Sequence, residues 1–131
     1  MIILFIEGRP VPYQSPRLYK NVCFNPLTPK KRAIQKEIRK QYKGPIIEGP
    51  VRVEYIFSFA IPKSFSKKKI EDIMMGHDFF SKRPDCSNLN KFFDDNLIGT
   101  VIKDDSLIVE CTIKKRYASK NATLVMIHEL K

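Results

Sequence analysis

Two short acidic segments in an otherwise basic sequence carry residue types that could bind a metal ion. Residues 84–88 read Pro-Asp-Cys-Ser-Asn, with Asp85 as the acid, and residues 103–106 read Lys-Asp-Asp-Ser, with Asp104 and Asp105. Mg²⁺ prefers oxygen ligands and often takes only one or two carboxylates from a protein. When bound, such an ion polarises a phosphoryl group and activates water. These segments are therefore candidates for a phosphodiester-cleaving site.

The same acidic residues also have ordinary structural interpretations. Asp85 can serve simply as the N-cap of a helix. Asp104 and Asp105 can form a turn, because aspartate bonds readily to nearby backbone groups. Asp94 and Asp95 are expected on a solvated helix surface. Spacing alone therefore leaves the metal site open.

A predicted helix from Asp85 to about Ile98, closed by Gly99, would position the first segment. Its polar face carries Asn88, Lys91 and Asp95, at spacings of three and seven residues from the first, with Asp95 supporting Lys91. Its opposite, apolar face carries Leu89, Phe92, Phe93 and Leu97. Asp104 and Asp105 precede a predicted strand, and a short connection could return them to the head of this helix.

The remaining elements predict one α+β domain over residues 1–131, with a four- or five-stranded mixed sheet and about three helices. Apolar runs or alternation predict strands at 2–7, 51–59, 107–116 and 122–130. Helices are predicted at 28–42, with Thr28 as N-cap before Pro29, and at 64–73. The proline-rich stretch 8–16 predicts an extended loop, and 76–84 predicts a mobile one.

The charge balance indicates a polyanionic partner. Lys and Arg number 24 against 14 acidic residues, for a formal net charge of +10. The basic residues recur in three clusters: Lys30, Lys31 and Arg32; Lys67, Lys68 and Lys69; and Lys114, Lys115 and Arg116. A single cluster is most often a solvated surface, but three of one sign favour nucleic acid. No long apolar run or basic amphipathic helix with aromatic anchors favours a membrane instead.

The cysteines and the first residues predict a cytoplasmic protein. Cys23, Cys86 and Cys111 are an odd number without a close pair, which is typical of reduced thiols rather than of disulfides or a zinc site. The opening apolar run reaches Glu7 too soon for a signal peptide. His77 and His128 are expected to have no functional role.

The acidic segments and several other segments of the chain follow one another in the same order as the motifs of RusA-type Holliday junction resolvases, which the sequence therefore resembles. Residues 82–91 (Lys-Arg-Pro-Asp-Cys-Ser-Asn-Leu-Asn-Lys), Gly99 and residues 103–106 are similar to that family's Lys-Pro-Asp-x-Asp-Asn-Leu-x-Lys pattern, helix and Lys-Asp-Asp-Ser turn. Residues 8–12 with Pro16 and Arg17, residues 28–30 and residues 61–69 are similar to its opening, first helix and mid-chain basic segment. The resemblance therefore covers most of the chain.

The resemblance implies a homodimeric endonuclease that binds four-way DNA junctions by their structure and nicks opposed strands during recombination and repair, in a bacterium, phage or prophage. Mg²⁺ would be its cofactor, Mn²⁺ could substitute, and no small-molecule cofactor is implied. Asp85 and Asp105 would be metal ligands, with Asp104 a less certain one. Lys91 would stabilise charge near the scissile phosphate, with Asn88 and Asp95 in supporting roles. Arg9 and Arg17 would join the three basic clusters in binding DNA.

One departure from the family pattern concerns residue 87. The second signature aspartate is Ser87 here, a neutral and weaker ligand. Another carboxylate or a water could complete the site, or cleavage could be slow. The alternative functions are a noncatalytic branched-DNA-binding protein and, more remotely, a basic RNA-binding or assembly protein.

Overall fold

A four-stranded mixed sheet forms the centre of the computed structural model, which describes residues 1–130. The strands are β1 (Ile2–Glu7), β2 (Arg17–Tyr19), β3 (Val22–Phe24), β4 (Val51–Ala60), β5 (Ile108–Ala118) and β6 (Ala122–Glu129). The order in the main sheet is β1-β6-β4-β5. β4 pairs with β5 in parallel, and β6 is antiparallel to both β1 and β4. The predicted α+β class and mixed sheet are confirmed.

Three helices connect and cover these strands. They are α1 (Thr28–Gln41), α2 (Lys67–Met74) and α3 (Cys86–Leu97), and a short 3₁₀ turn (Asp105–Leu107) precedes β5. The prediction that Thr28 is the N-cap of the first helix is wrong, because Leu27 occupies that position. There the Asn25 side chain accepts a 2.9 Å hydrogen bond from the Leu27 backbone N–H and forms the turn that leads into α1.

Apolar alternation explains why β4 lies at the centre of the core. Val51, Val53, Tyr55, Phe57 and Phe59 are all fully buried on the side of the sheet that the helices cover. The apolar face of α3 packs against them, and its four predicted core residues, Leu89, Phe92, Phe93 and Leu97, are buried as expected. This packing fixes α3 across the sheet and therefore fixes the direction in which its ends point.

β5 reaches its place beside β4 through a long crossover that contains α2 and α3. Because β4 and β5 are parallel, the chain must return from the end of β4 to the level at which β5 begins. The helix α3 lies on this return path and therefore runs antiparallel to both strands. Val51 of β4 pairs with Ile108 of β5, and the next residue, Arg52, pairs with Glu110. Val109 is therefore an extra, unpaired residue in β5, which forms a β-bulge. The head of α3 thus lies towards the ends of β4 and β5, and its last turn lies towards their beginnings.

A short hairpin of β2 and β3 projects from the loop before α1 and was not predicted from the sequence. Tyr19 pairs with Val22, and the two residues between them, Lys20 and Asn21, both have positive φ angles of 48° and 62°. Such a two-residue turn matches the twist of an antiparallel hairpin. All six strand residues are exposed.

None of the helices that the structure describes is long and apolar enough to cross a bilayer.

Candidate functional site

Asp85 lies at the head of α3 with its carboxylate available. The residue occupies the N-cap position, but its side chain accepts no capping hydrogen bond. It forms no ion pair with any other residue between 1 and 130, and it is exposed. The predicted N-cap position of Asp85 is therefore confirmed, but its carboxylate does not cap the helix.

A cleft of about 370 Å³ opens beside Asp85. Its lining comprises Arg9, Pro10, Pro12, Tyr13, Arg83, Pro84, Asp85 and Asn88. The proline-rich loop is held against α3 by a 2.9 Å hydrogen bond from the backbone N–H of Tyr13 to the carbonyl of Asn88. The Arg9 guanidinium stacks over the Phe59 ring at 5.1 Å. The cleft thus combines one free carboxylate with two arginines, a set suited to a phosphate held beside a metal ion.

Lys91 projects from the same face of α3 as Asn88, as the helical spacing predicted, and it is exposed. Its ammonium lies 4.0 Å from the centroid of the Tyr13 ring, which is a cation–π contact. Among residues 1–130 it has no ion pair with Asp95, so the expectation that Asp95 supports Lys91 is wrong. Tyr13 instead orients the lysine next to the cleft.

Asp94 is the acidic residue whose importance the sequence did not indicate. It was expected on a solvated surface, but the Tyr55 hydroxyl donates a 2.5 Å hydrogen bond to one carboxylate oxygen, and the Asn90 amide donates a 3.0 Å bond to the other. Burial raises the pKa of Asp94, the two hydrogen bonds lower it, and the charges of Asp105 and Asp95 raise it further. The sequence signal for this contact was the spacing of four residues between Asn90 and Asp94, which places the two side chains next to each other on a helix.

The second acidic segment forms the 3₁₀ turn before β5. The Asp104 carboxylate accepts hydrogen bonds from the hydroxyl and the backbone N–H of Ser106, and these bonds hold the pKa of Asp104 below its ordinary value. Asp104 therefore caps the turn. Asp105 is exposed, and its charge acts on Asp94, in the second half of α3.

The structure thus places Asp85 and Asp105 at opposite ends of α3. The connection after Leu97 does not return Asp104 and Asp105 to the head of the helix. It turns back at once, with Ile102 beside Ile98 and Ile47, and enters β5 at its beginning. No group of three or more His, Cys, Asp or Glu side chains within residues 1–130 is arranged to hold a metal ion.

The donor chemistry of the two segments nevertheless fits Mg²⁺. Asp85 and Asp105 are both exposed carboxylates without an ion-pair partner among residues 1–130, although the chain has a large excess of cations. Ser87, in the first turn of α3, is also exposed and can offer a hydroxyl oxygen. Mg²⁺ commonly keeps several waters and needs only one or two protein carboxylates.

The predicted DNA-binding residues divide between several surfaces. Lys30, Lys31 and Arg32 begin α1 and form no ion pair with the described residues, and Arg17 lies in the exposed hairpin. In α2, Lys67 and Lys68 are exposed, whereas Lys69 pairs with Asp78 at 3.2 Å. The cluster in β5 is divided by strand alternation.

Lys115 has a structural contact in that strand. Its ammonium donates a 2.7 Å hydrogen bond to the carbonyl of Lys82 and a 3.1 Å bond to the carbonyl of Pro84. Pro84 is the residue directly before Asp85. Arg116 points to the other face of the sheet, where its Nε donates a 2.9 Å bond to the Ser58 hydroxyl. Lys115 therefore fixes the chain that leads into α3.

Comparisons with known proteins agree with these features. The family model for Endodeoxyribonuclease RusA matches residues 7–128, which is nearly the whole chain. That match assigns the chain to a class of DNA-acting nucleases. The chain belongs to the RusA endodeoxyribonuclease family.

The chain is also similar to a curated protein from a bacterium. The chain is 36% identical over 87 residues to the protein from Bacillus subtilis (strain 168) called Uncharacterized protein YqaN. The matched segment is 65% of this chain and 61% of that protein, so the chain spans less than two thirds of the relative's length.

Proposed function

We propose that this protein is a Mg²⁺-dependent endonuclease that binds four-way DNA junctions as a homodimer and nicks paired, opposed strands. The observation that carries the proposal is the free carboxylate of Asp85 in a cleft that also contains Arg9 and Arg83. Membership of the RusA family supports a nuclease and a branched-DNA substrate. The net charge of +10 supports a nucleic-acid partner in the same way.

Each residue of the site has a proposed task. Asp85 and Asp105, at opposite ends of α3, are each a proposed metal ligand, and Ser87 and Asp104 contribute weakly or through water. The ion, when bound, supplies charge stabilisation and an activated water. Arg9 and Arg83 hold the phosphodiester in the cleft, because guanidinium groups pair with phosphate in a bidentate manner. Lys91, oriented by Tyr13, stabilises negative charge that develops on the phosphate.

The direct test is cleavage of a synthetic four-way junction by the purified protein. We expect paired nicks in opposed strands when Mg²⁺ is present and none when it is chelated. Linear duplex and RNA of equal length serve as competitors, and we expect the junction to outcompete both. Junction binding without cleavage at any metal concentration would favour the noncatalytic branched-DNA-binding alternative, for which Ser87 is the supporting feature.

Two substitutions separate binding from chemistry. Asp105→Asn removes a proposed metal ligand but adds no bulk, so we expect cleavage to be lost and junction binding to persist. Asp72→Asn, in α2 and outside the cleft, is the matched control and should cut normally. Normal cleavage by Asp105→Asn would show that the metal role is wrongly assigned.

A further inference from the structure

Two consecutive phenylalanines in the loop between α2 and α3 lie in opposite environments. Phe80 is buried, and its ring stacks on the Phe59 ring with centroids 4.0 Å apart and contacts the Tyr117 ring at 5.2 Å. Phe79 is 71% exposed, and among residues 1–130 its ring contacts no other aromatic ring and no cation lies over it. Packing of the core therefore explains Phe80 but not Phe79. Because single exposed apolar residues are common, a role for Phe79 has to follow from its position.

The backbone is held on both sides of this exposed ring. Before it, the Asp78 carboxylate pairs with the Lys69 ammonium at 3.2 Å. After it, the Lys115 ammonium bonds to the carbonyls of Lys82 and Pro84. A side chain on a held segment loses less conformational entropy on binding than one on a free loop. The ring is therefore presented to a ligand at little entropic cost.

Cations accompany Phe79 along the chain. Lys82 and Arg83 follow it by three and four residues, and both are exposed. Between residues 76 and 84 the one acid is Asp78, whose charge Lys69 offsets. Proteins bind single-stranded nucleic acid with this combination, in which aromatic rings stack on bases and cations follow the phosphates. The surroundings of Phe79 therefore favour a nucleic acid as its partner over an apolar protein surface.

The cleft beside the head of α3 extends towards this part of the loop. Arg9 and Arg83, which line the cleft, also line a smaller cavity of about 190 Å³. That cavity reaches Phe80 and Lys82, which follow Phe79 in the chain. Cavities that enclose a whole ligand usually measure about 300–1,000 Å³, so this one continues the cleft rather than forming a separate site. DNA bound in the cleft can therefore extend towards Phe79.

The length of the connecting chain limits how far Phe79 lies from the cleft. It precedes Asp85 by six residues, which span no more than about 22 Å even when fully extended. Duplex DNA rises about 3.4 Å for each nucleotide of a strand, so this distance corresponds to about six base pairs or fewer. A phosphate at Asp85 and a base at Phe79 therefore belong to the same short stretch of DNA.

A branch point in DNA uncovers base faces that a linear duplex keeps covered. Within a continuous duplex each base pair is stacked on both sides, so an aromatic side chain does not reach its flat face. Where two arms separate, the last base pair of an arm loses a stacking neighbour. A phenyl ring can replace that neighbour whatever the base, because every base has a π-face. Such a contact distinguishes DNA by its structure rather than by its sequence.

We propose that Phe79 stacks on a base whose flat face is uncovered at the branch point of a DNA junction, and that this contact makes the protein prefer branched to linear DNA. The inference rests on the proposed function for its substrate, but it does not depend on which residues bind metal. Phe79 supplies a stacking interaction that the DNA has lost, while Lys82 and Arg83 pair with phosphates. Its removal therefore lowers the selectivity for junctions without altering the fold.

Binding measured in the presence of a chelator tests this role apart from cleavage. We expect Phe79→Ala to bind a synthetic four-way junction about tenfold more weakly, which is the effect of removing one base–aromatic stack. Its affinity for a linear duplex of the same arm sequence should remain unchanged. Ile46→Ala is the matched control, because Ile46 is also an exposed apolar residue but lies at the far end of α3, next to Ile47, which pairs with Ile102. It should leave both affinities unchanged.

A tryptophan at position 79 reports the contact directly. The chain contains no tryptophan, so Phe79→Trp provides a single fluorescent side chain. We expect this variant to keep its junction affinity, because an indole ring also stacks on bases. Its emission should be quenched by the junction and remain unchanged with an equal concentration of linear duplex. Ile46→Trp is the control and should show no quenching by either DNA.

The outcomes separate this inference from the proposed function. Selective loss of junction affinity in Phe79→Ala, with quenching in Phe79→Trp, is the expected result, and it would stand even if the wild type bound junctions without cutting them. Equal junction affinity of Phe79→Ala and the wild type would overturn the inference and leave the proposed function intact. A wild type without preference for the junction would count against both.

Two further results would assign the ring to a different contact and overturn the inference. An equal loss of affinity for junction and linear duplex in Phe79→Ala would show a general DNA contact without selectivity. Emission of Phe79→Trp that changes with protein concentration in the absence of DNA would place the ring against a second protein chain.

Discussion

The hydroxyl of Tyr55 donates a 2.5 Å hydrogen bond to the carboxylate of Asp94 and thereby joins the central strand β4 to α3. Tyr55 is fully buried, and burial followed by the nearby charge of Asp94 raises its pKa well above the ordinary value. The hydroxyl therefore stays protonated and acts as a permanent donor. Because α3 carries Asp85 at one end and faces Asp105 near the other, this bond helps to fix the distance between the two candidate metal ligands.

Removing the Tyr55 hydroxyl should destabilise the fold. Tyr55→Phe leaves a half-buried carboxylate without one of its two donors, and we expect the free energy of unfolding to fall by about 1–3 kcal/mol. Urea denaturation measures the loss. Tyr19→Phe, in the exposed hairpin, is the control and should change stability by less than about 0.5 kcal/mol. Equal stability of the two variants would mean that the bond contributes nothing in solution.

Asp94 should make stability depend on pH in a definite direction. Its folded-state pKa is raised by burial above the ordinary value of 3.8. Between the unfolded and the folded pKa, the folded protein holds a proton that the unfolded chain has lost, so this residue makes stability fall as pH rises through that window. Asp94→Asn should remove this contribution and make the curve of stability against pH rise more steeply there. An unchanged slope would contradict the raised pKa.

A carboxylate introduced at position 87 should strengthen the proposed metal site. Ser87→Asp adds a negative oxygen ligand near Asp85, and we expect half-maximal cleavage at a Mg²⁺ concentration about tenfold lower, which corresponds to about 1.4 kcal/mol. Titration of junction cleavage with metal measures the shift. Ser119→Asp, in the turn between β5 and β6, adds the same charge away from the site and should leave the midpoint unchanged. An unshifted midpoint for Ser87→Asp would exclude residue 87 from the metal's surroundings.

Junction binding should weaken with salt in proportion to the phosphates contacted. The logarithm of the affinity is expected to fall with a slope of about −0.9 per phosphate against the logarithm of salt concentration. Replacing Lys30 and Lys31 by glutamine should make the slope shallower by about 1.8 if each contacts one phosphate. Lys120→Gln, in the turn before β6, should leave it unchanged. An unaltered slope in the double variant would place the first turn of α1 outside the DNA contact.

Local patterns in the sequence were enough to predict most of the elements. The alternation from Val51 to Phe59 identified β4, and the apolar spacing from Leu89 to Leu97 identified the buried face of α3. The hairpin of β2 and β3 was missed because its residues are exposed on both sides and show no burial pattern. Its signal was the Lys20-Asn21 turn, since asparagine tolerates positive φ better than most residues.

The candidate site was harder to predict, because it depends on topology rather than on local pattern. The sequence indicated Asp85 and Asp105 as the chemically important acids, but no spacing rule states that β4 and β5 are parallel neighbours. That arrangement makes α3 a crossover and separates its two ends. The burial of Asp94 could not be predicted either, because it depends on packing against Tyr55, which lies 39 residues earlier in the chain.

Gln41 has a consequence for the size of any assembly built through the sheet. A strand that pairs by its edge leaves the far edge of each copy free, and an unprotected far edge would let further copies add without limit into a filament. The amide of Gln41 blocks that growth at β1, because it accepts a 2.8 Å hydrogen bond from the Phe5 N–H and donates a 2.7 Å bond to the Phe5 carbonyl. Replacement of this one side chain would therefore be expected to expose both Phe5 backbone groups and to favour edge-to-edge association of the sheet.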